Sequence, residues 1–398
     1  MMRAPGGTRF ALLTCGLLLV FFFSLSGFFK YFDYGYGWLR FLVLVALLGA
    51  VYWLDRRGAF RGRLRALAQE RAAWPILIGL VILLSVGNGV LLGIGAVGQG
   101  KPLSDQSIET VNAVRAVFRG VNPWTSELDR NWAAIQAARG EHDPAWLGYK
   151  YGPATLLAAA PLTRSFGEAG MVWTNALAML VVAGALVSLI RQAGAGWPWS
   201  VALAAGAFGA GYMASVIRFG ETDSIAVALA LLSLCAAEAK YFAVSGAFLA
   251  ASLSAKLLPG GIYAVVIWRL LKQPRFSLGL GLGLLTISGP AFVANPAAFV
   301  RSLILFPFIH PPDSTSLQFF LPGALRVLLL AAALGIIIAS AASNDESRVG
   351  VSRRLVTAHL AVLCSASFIH NNYLVWLYPL LALFIARHLL ADVPGCSA

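Results

Sequence analysis

The chain has 398 residues, of which 59% are hydrophobic and 12% are charged, and its net charge is +13. This composition excludes an ordinary soluble domain and is typical of a polytopic membrane protein. The positive charge does not indicate binding to nucleic acid, because the arginines lie in short clusters between apolar segments, as the positive-inside rule predicts for cytoplasmic loops. The four cysteines have no C-x-x-C spacing, so the sequence predicts neither a zinc site nor a disulfide framework.

The first two apolar segments, Phe10–Phe29 and Trp38–Leu54, are predicted to form a transmembrane hairpin. The first has no cleavage site of the A-x-A kind, so we interpret it as a retained helix and not as a signal peptide. The arginine-rich segment Asp55–Arg71 follows, and we expect it to lie in the cytoplasm together with the N-terminus. We therefore divide the chain into 1–73, a hairpin with its basic loop, and 74–398, the main transmembrane domain.

The apolar segment Trp74–Val97 leads into a polar stretch, Gly98–Pro153, which we expect on the outer face. Apolar residues recur there at helical spacing, first at Ile108, Val111, Val114 and Phe118, then at Leu128, Trp132, Ile135 and Ala138. We expect two amphipathic helices that lie on the membrane surface with their apolar sides down. A long polar connection on a rigid helical scaffold is also the first place to look for chemistry.

The next apolar segment, Gly152–Phe166, is short and contains two prolines. Counted as a full span, it would place Arg191 and Lys240 outside the cell. Counted as a half-helix that returns to the outer face, it places the later basic loops in the cytoplasm, where they are expected. The further predicted spans are Met171–Ile190, Ser200–Ile217, Ser224–Ala237, Phe242–Ala255, Leu257–Leu271, Ser277–Ala294, Phe320–Ser340, Leu355–Phe368 and Tyr373–Leu390.

We therefore predict an all-α protein, a polytopic transmembrane bundle of about twelve spans plus one half-helix, in the plasma (inner) membrane. Its N-terminus is cytoplasmic under this topology. The ionisable residues expected on the outer face are Asp105, Glu221, Asp223, Lys256, His310 and His370.

Two acidic motifs are candidates for chemistry. Asp105 follows an outward span, where a carboxylate can accept a proton from a sugar hydroxyl; it or Ser104 can equally cap the next helix. Glu221 and Asp223 stand one residue apart and can share a metal ion or bind sugar hydroxyls. The other interpretation is that they complement the positive N-terminal end of the next helix.

The basic candidates lie further along the chain. Lys256 interrupts a long apolar stretch, and an ionisable residue at such a position indicates function, here as a point charge for phosphate. Alternatively, its ammonium extends to the membrane interface. His310 can bind or protonate a leaving phosphate, or can simply pack in its loop. For His370 with its two neighbouring asparagines, a tight connection between helices is favoured.

The order of these motifs resembles the GT-C class of membrane glycosyltransferases, most closely the bacterial polyprenyl-phosphate-mannose-dependent mannosyltransferases of glycosyltransferase family 87. The likeness extends from about Trp74 to Leu390. Its motifs are Asp105, the run Gly120–Trp124, the pattern of Tyr149, Tyr151 and Pro153, the GETDS sequence at Glu221, the small-residue helix Ser245–Gly260, the run Ser314–Gln318 and the aromatic run Tyr373–Leu380. Asp223 stands where the family more often has Asn, and Trp124 where it usually has Tyr.

The resemblance implies a GT-C-like catalytic domain at 74–398 that transfers a sugar, with mannose expected, from a polyprenyl-phosphate donor to a lipid-linked or envelope glycan acceptor, with inversion. It implies Asp105 as general base. The implied phosphate-binding residues are Lys256, His310 and Arg218, and the implied sugar- or acceptor-binding residues are Glu221, Asp223, Tyr149, Tyr151 and Trp124. No cofactor is expected, although Glu221 and Asp223 make a divalent metal possible.

Two other functions fit the composition. A transporter or flippase for a lipid-linked sugar would explain the many spans and the intramembrane Lys256, but the sequence has no internal repeat of the kind seen in many transporters. A non-catalytic membrane scaffold with the same fold is the third alternative.

Overall fold

A computed structural model describes residues 73–101, 103–125, 148–194, 211–306, 316–366 and 373–390. Within those ranges all regular secondary structure is helical, in agreement with the predicted all-α class. Several predictions concern residues outside the described part: the hairpin Phe10–Phe29 and Trp38–Leu54, the second amphipathic pattern from Leu128 to Ala138, His310 and His370.

Helices connected by short turns make up most of the described chain. The α-helices are α1 (Ala73–Gly98), α2 (Asp105–Phe118), α3 (Pro153–Phe166), α4 (Glu168–Gln192), α5 (Gly211–Phe219), α6 (Asp223–Glu238), α7 (Phe242–Ala255), α8 (Leu257–Val266), α9 (Pro274–Ile287), α10 (Gly289–Ala294), α11 (Pro296–Val300), α12 (Gly323–Ala342), α13 (Arg348–Ser365) and α14 (Leu374–Leu390). A π-helical turn at Arg301–Leu305 follows α11, and 3₁₀ turns lie at Pro123–Thr125, Trp268–Lys272 and Leu317–Phe320.

The predicted boundaries fail where capping or proline decides them. The span predicted from Ser277 to Ala294 is divided between α9 and α10, which meet at Ser288, just before Pro290. Proline lacks a backbone N–H and is favoured in the first turn of a helix, so it starts a new helix there. The helix predicted from Leu355 begins earlier, because the Ser347 side chain accepts the N–H of Gly350 at 3.0 Å and caps the first turn.

Two of the described helices, α4 and α12, are long and apolar enough to cross a membrane by themselves. Large apolar side chains of α12 are exposed, including Leu325, Val327, Leu328 and Leu334. An exposed apolar surface of this kind needs an apolar environment. Shorter apolar helical segments of 10–17 residues include Val86–Gly98, Phe242–Ala255 and Pro274–Ile287.

The chain forms two compact units. The unit made of Val86–Val182 and Ala214–Pro311 contains most of the candidate site. In it, α7 packs closely on α9 because small residues line the contact: a Cβ added at Gly279 would lie 2.0 Å from the carbonyl oxygen of Ala243. Serines join α7 to α6, and Ser252 donates to the carbonyl oxygen of Ala226 at 2.8 Å.

The other unit includes α12, α13 and α14. Its arginines hold helix ends together. Arg387 is buried and donates to the Ser352 hydroxyl at 2.8 Å, and the buried Arg354 donates to the carbonyl oxygens of Ser340 and Ser343. These contacts satisfy carbonyl groups at the C-terminal end of α12 and join α14 to α13.

Candidate functional site

The site begins at the first turn of α2. The Ser104 side chain accepts the N–H of Ser107 at 3.2 Å, so Ser104 and not Asp105 is the N-cap. Asp105 is the first helical residue, is exposed, and accepts the N–H of Gln106 at 2.8 Å. Of the two residues proposed as the helix cap, Ser104 is therefore the cap, and Asp105 accepts an N–H within the same first turn.

The predicted apolar side of α2 is confirmed in the middle of the helix and fails at its C-terminal end. Val111 and Val114 are buried, at 1% and 2% exposure, whereas Phe118 is 52% exposed. Glu109, a charged residue outside the apolar pattern, is also buried. The reason is tertiary: α2 packs on α3, and the Thr110 hydroxyl shares a hydrogen bond with Tyr149, just before α3. Contacts with neighbouring segments thus bury more of α2 than its apolar pattern predicts.

Hydrogen bonds attach the first turn of α2 to the loop between α5 and α6. The N–H of Ser104 donates to the carbonyl oxygen of Phe219 at 3.1 Å. The Gln106 side-chain oxygen accepts both the N–H and the hydroxyl of Thr222, at 3.2 and 2.8 Å. Since these partners lie on both sides of Glu221, the attachment brings the Glu221 and Asp105 segments together.

Gly220 makes this close approach possible. Its φ is +68°, in the left-handed region that glycine tolerates best. Its carbonyl oxygen accepts the Ser107 hydroxyl at 2.8 Å, and an added Cβ would lie only 2.0 Å from that Ser107 oxygen. The glycine of the GETDS motif is therefore required by both backbone conformation and space.

Lys256 lies in the sharp turn between α7 and α8. It is the only residue between the two helices, and its backbone is extended, with φ −151° and ψ 125°. The chain folds back there, since a Cβ at Gly260 would lie 3.0 Å from the Ser252 side-chain oxygen. The Lys256 ammonium donates to Asp223 Oδ1 at 2.7 Å, with the lysine side chain 15% exposed and the aspartate fully buried. Lys256 is therefore partly exposed to solvent, while its ammonium is paired with Asp223.

The extended segment before α3 completes the site. Gly152 donates its N–H to the carbonyl oxygen of Ala255 at 2.9 Å, and an added Cβ would lie 1.8 Å from the carbonyl oxygen of Ser254. This contact holds the segment against the Lys256 turn. As a result the Lys256 ammonium lies 5.4 Å from the centre of the Tyr151 ring, within range of a cation–π interaction.

Glu221 lies among charged groups. Burial raises the pKa of Glu221 well above its usual range, and the carboxylates of Asp223 and Asp105 raise it further. Lys256 and a hydrogen bond from the Ser104 hydroxyl act in the opposite direction. Glu221 therefore interacts electrostatically with three of the predicted site residues, contributed by α2, α6 and the Lys256 turn.

Two of the predicted sugar-binding aromatics are packing residues. Tyr149 is fully buried, and its hydroxyl shares a 3.1 Å hydrogen bond with Thr110. Trp124 is 7% exposed, and its indole N–H donates to the carbonyl oxygen of Tyr151 at 3.1 Å. Because neither ring has free surface for a sugar, the assignment of Tyr149 and Trp124 to sugar binding is corrected to positioning of the Tyr151 segment.

Lys150 was missed by sequence reasoning. It is 8% exposed, and its ammonium lies 4.7 Å from the centre of the Phe306 ring. A lysine buried to this degree is uncommon, because desolvating an ammonium is costly. The signal in the sequence was its position between two tyrosines just before α3.

The other predicted ligands are less closely connected to this cluster. Arg218 lies in the last turn of α5, two residues before Gly220, and is half-buried, with its guanidinium carbon 5.0 Å from the centre of the Phe219 ring. His310 lies outside the described residues. In the part of the chain that the structure describes, no three His, Cys, Asp or Glu side chains lie close enough together to hold a metal ion.

No protein-family model, curated protein or solved structure matches this chain. The function therefore has to be inferred from the residues and geometry of the site itself.

Proposed function

We propose that the protein is a polytopic membrane glycosyltransferase of the GT-C kind, which transfers a sugar from a polyprenyl-phosphate donor to a lipid-linked or glycan acceptor. One observation carries the proposal: the fold brings together Asp105, Glu221, Asp223, Lys256 and Tyr151, from segments far apart in sequence, through hydrogen bonds, an ion pair, a cation–π contact and electrostatic interactions. A site that combines carboxyl groups, a partly exposed lysine ammonium and an aromatic ring is suited to binding a sugar joined to a phosphate.

Each part of the reaction has a candidate residue. The acceptor hydroxyl attacks the anomeric carbon on the face opposite the phosphate, while Asp105 takes the hydroxyl proton. The bond between the anomeric carbon and the phosphate oxygen breaks, and its electron pair leaves with the polyprenyl phosphate. Lys256 compensates the charge that grows on this leaving group. No nucleotide-binding domain is needed, because a polyprenyl tail delivers the donor through the bilayer.

The membrane arrangement is part of the proposal. Twelve spans and a half-helix, with the N-terminus in the cytoplasm, would put Asp105 and Lys256 at the level of the outer lipid headgroups. The apolar surface of α12 and the length of α4 support insertion into a membrane. The expected location is the plasma membrane.

A transporter for a lipid-linked sugar is the second candidate, and the helix break at Lys256 favours it. Transporter sites are often formed where a helix is interrupted and its backbone groups become available to a ligand. Chemical turnover separates the two functions, since a transporter moves the lipid-linked sugar without cleaving it. Recovery of intact donor from reconstituted vesicles, with no glycosylated acceptor, would favour transport.

The test of the proposed enzyme is Asp105→Asn. The amide keeps the size of the side chain but cannot accept the hydroxyl proton, and Ser104 still caps α2. We expect a well-folded protein whose transfer rate falls by about 10²–10⁴-fold. Transfer is measured from a radiolabelled polyprenyl-phosphate sugar to a membrane acceptor extract, and folding is measured by thermal melting in detergent.

The matched control is Asp345→Asn, which neutralises an exposed aspartate in the other unit, bound to Arg353 at 3.0 Å. This variant should transfer sugar at the normal rate. Normal transfer by folded Asp105→Asn would remove Asp105 from the mechanism and leave Glu221 or Asp223 as the base.

A further inference from the structure

Three carboxyl groups and one paired lysine share the proposed site, and this charge balance is unfavourable for an anionic substrate. Asp223 forms an ion pair with Lys256 at 2.7 Å, so these two charges largely cancel. Asp105 is exposed at the first turn of α2. If all three carboxyl groups were ionised, a phosphate would meet three carboxylates at a site where Lys256 is already paired with Asp223.

The surroundings of Glu221 disfavour the charged form of its carboxyl group. It is half-buried in the loop that Gln106 and Ser104 hold against α2, so the Asp105 charge lies on one side of it. The Asp223 charge, on the first turn of α6, lies on another side. Lys256 is the one cation that acts on Glu221 among the described residues, and it is already paired with Asp223.

We propose that Glu221 carries a proton at neutral pH and that this proton admits the anionic phosphate of the donor to Lys256. As a neutral carboxylic acid, Glu221 adds no negative charge to the site and can donate a hydrogen bond to a phosphate or sugar oxygen. When the pH rises and Glu221 loses its proton to water, the new carboxylate repels the phosphate. Glu221 is therefore a residue that sets donor affinity, while Asp105 performs the proton transfer.

The direction of the pH effect follows from the environment of Glu221. Burial and the two neighbouring carboxylates raise its pKa, so ionisation moves from the acidic range toward neutral and alkaline pH. Two unit negative charges about 10 Å apart, at an effective dielectric constant near 20, repel each other enough to weaken binding on the order of tenfold. Donor affinity is thus expected to be high at neutral pH and to fall on the alkaline side.

The experiment compares wild type with Glu221→Gln, which keeps a neutral side chain at every pH. Since this inference rests on the proposed function, the first measurement is donor KM and kcat over the neutral and alkaline range. We expect KM of the wild type to rise about tenfold with little change in kcat, and KM of Glu221→Gln to stay constant. Asp345→Asn, the control, should retain the alkaline rise. A rise that persists in Glu221→Gln would overturn the proposal.

Two further measurements do not depend on transfer. Binding of farnesyl phosphate to the detergent-solubilised full chain should weaken with rising pH in the wild type and not in Glu221→Gln. Infrared spectra of wild-type protein labelled with ¹³C-glutamate should contain a protonated carboxyl band at neutral pH that disappears on the alkaline side. Absence of that band at neutral pH would overturn the proposal even if Glu221→Gln fails to fold. If both results hold while Asp105→Asn remains active, the proposed general base fails, the role of Glu221 in phosphate binding stands, and Asp223 is the remaining candidate for the base.

Discussion

Replacement of Lys256 by methionine separates the structural and functional roles of this residue. The side chain of Asp223 is fully buried and that of Lys256 is 15% exposed, at an ammonium-to-carboxylate distance of 2.7 Å. Removing one partner of a buried ion pair costs about 3–5 kcal/mol, because the remaining charge is buried without compensation. Since water reaches part of Lys256, we expect a loss near 3 kcal/mol in the free energy of unfolding.

A second variant tests whether the loss of stability is the whole effect. In Lys256→Met combined with Asp223→Asn neither charge remains, so most of the stability should return and the residual cost should be about 1 kcal/mol. Donor use should not return, because the Lys256 ammonium that holds the phosphate is absent. Asp223→Asn alone should keep or improve donor affinity, since Lys256 then loses its 2.7 Å ion pair with Asp223. Lys256→Arg should restore donor use only in part, because a planar guanidinium does not replace a compact ammonium.

The assay is donor KM together with thermal melting in detergent for all four variants. An unchanged donor KM in Lys256→Met would refute phosphate binding by this lysine. Recovery of donor use in the double variant would show that the single substitution acted only through folding. Stable Lys256→Met with normal melting would contradict the burial argument.

Two further predictions concern the Gly220 loop and the topology. Gly220→Ala should lower both stability and transfer. Gly100→Ala is the control, because Gly100 has a similar φ of +67° but no atom within 4 Å of an added Cβ, so it should cost only backbone strain of about 1–2 kcal/mol. Equal losses of melting temperature in the two variants would mean that contact with Ser107 is unimportant. With the four native cysteines replaced by serine, a cysteine at the exposed position of Lys101 should react with an impermeant reagent from outside intact cells, and one at Tyr241 should not. Labelling at both positions would make Gly152–Phe166 a full span.

The helices that could be predicted from the sequence are those whose limits coincide with changes in local chemistry. α7 spans Phe242–Ala255, as predicted, because a polar residue or charge ends the apolar run on each side. Lys256 was predicted in a turn for the same reason. The amphipathic helix α2 was also predicted, with the serine that caps it among the alternatives. These features depend on neighbours within a few residues.

The tertiary structure alone decided which residues meet. Gln106 and Thr222 are 116 positions apart, and no local pattern shows that one accepts hydrogen bonds from the other. For the same reason the sequence did not show that Tyr149 is buried, that Lys150 faces an aromatic ring, or that Glu221 lies beside Asp105. Burial and charge at a site depend on contacts between distant segments. The sequence therefore showed which residue types are candidates, but it did not show which of them pack in the core and which are placed to take part in chemistry.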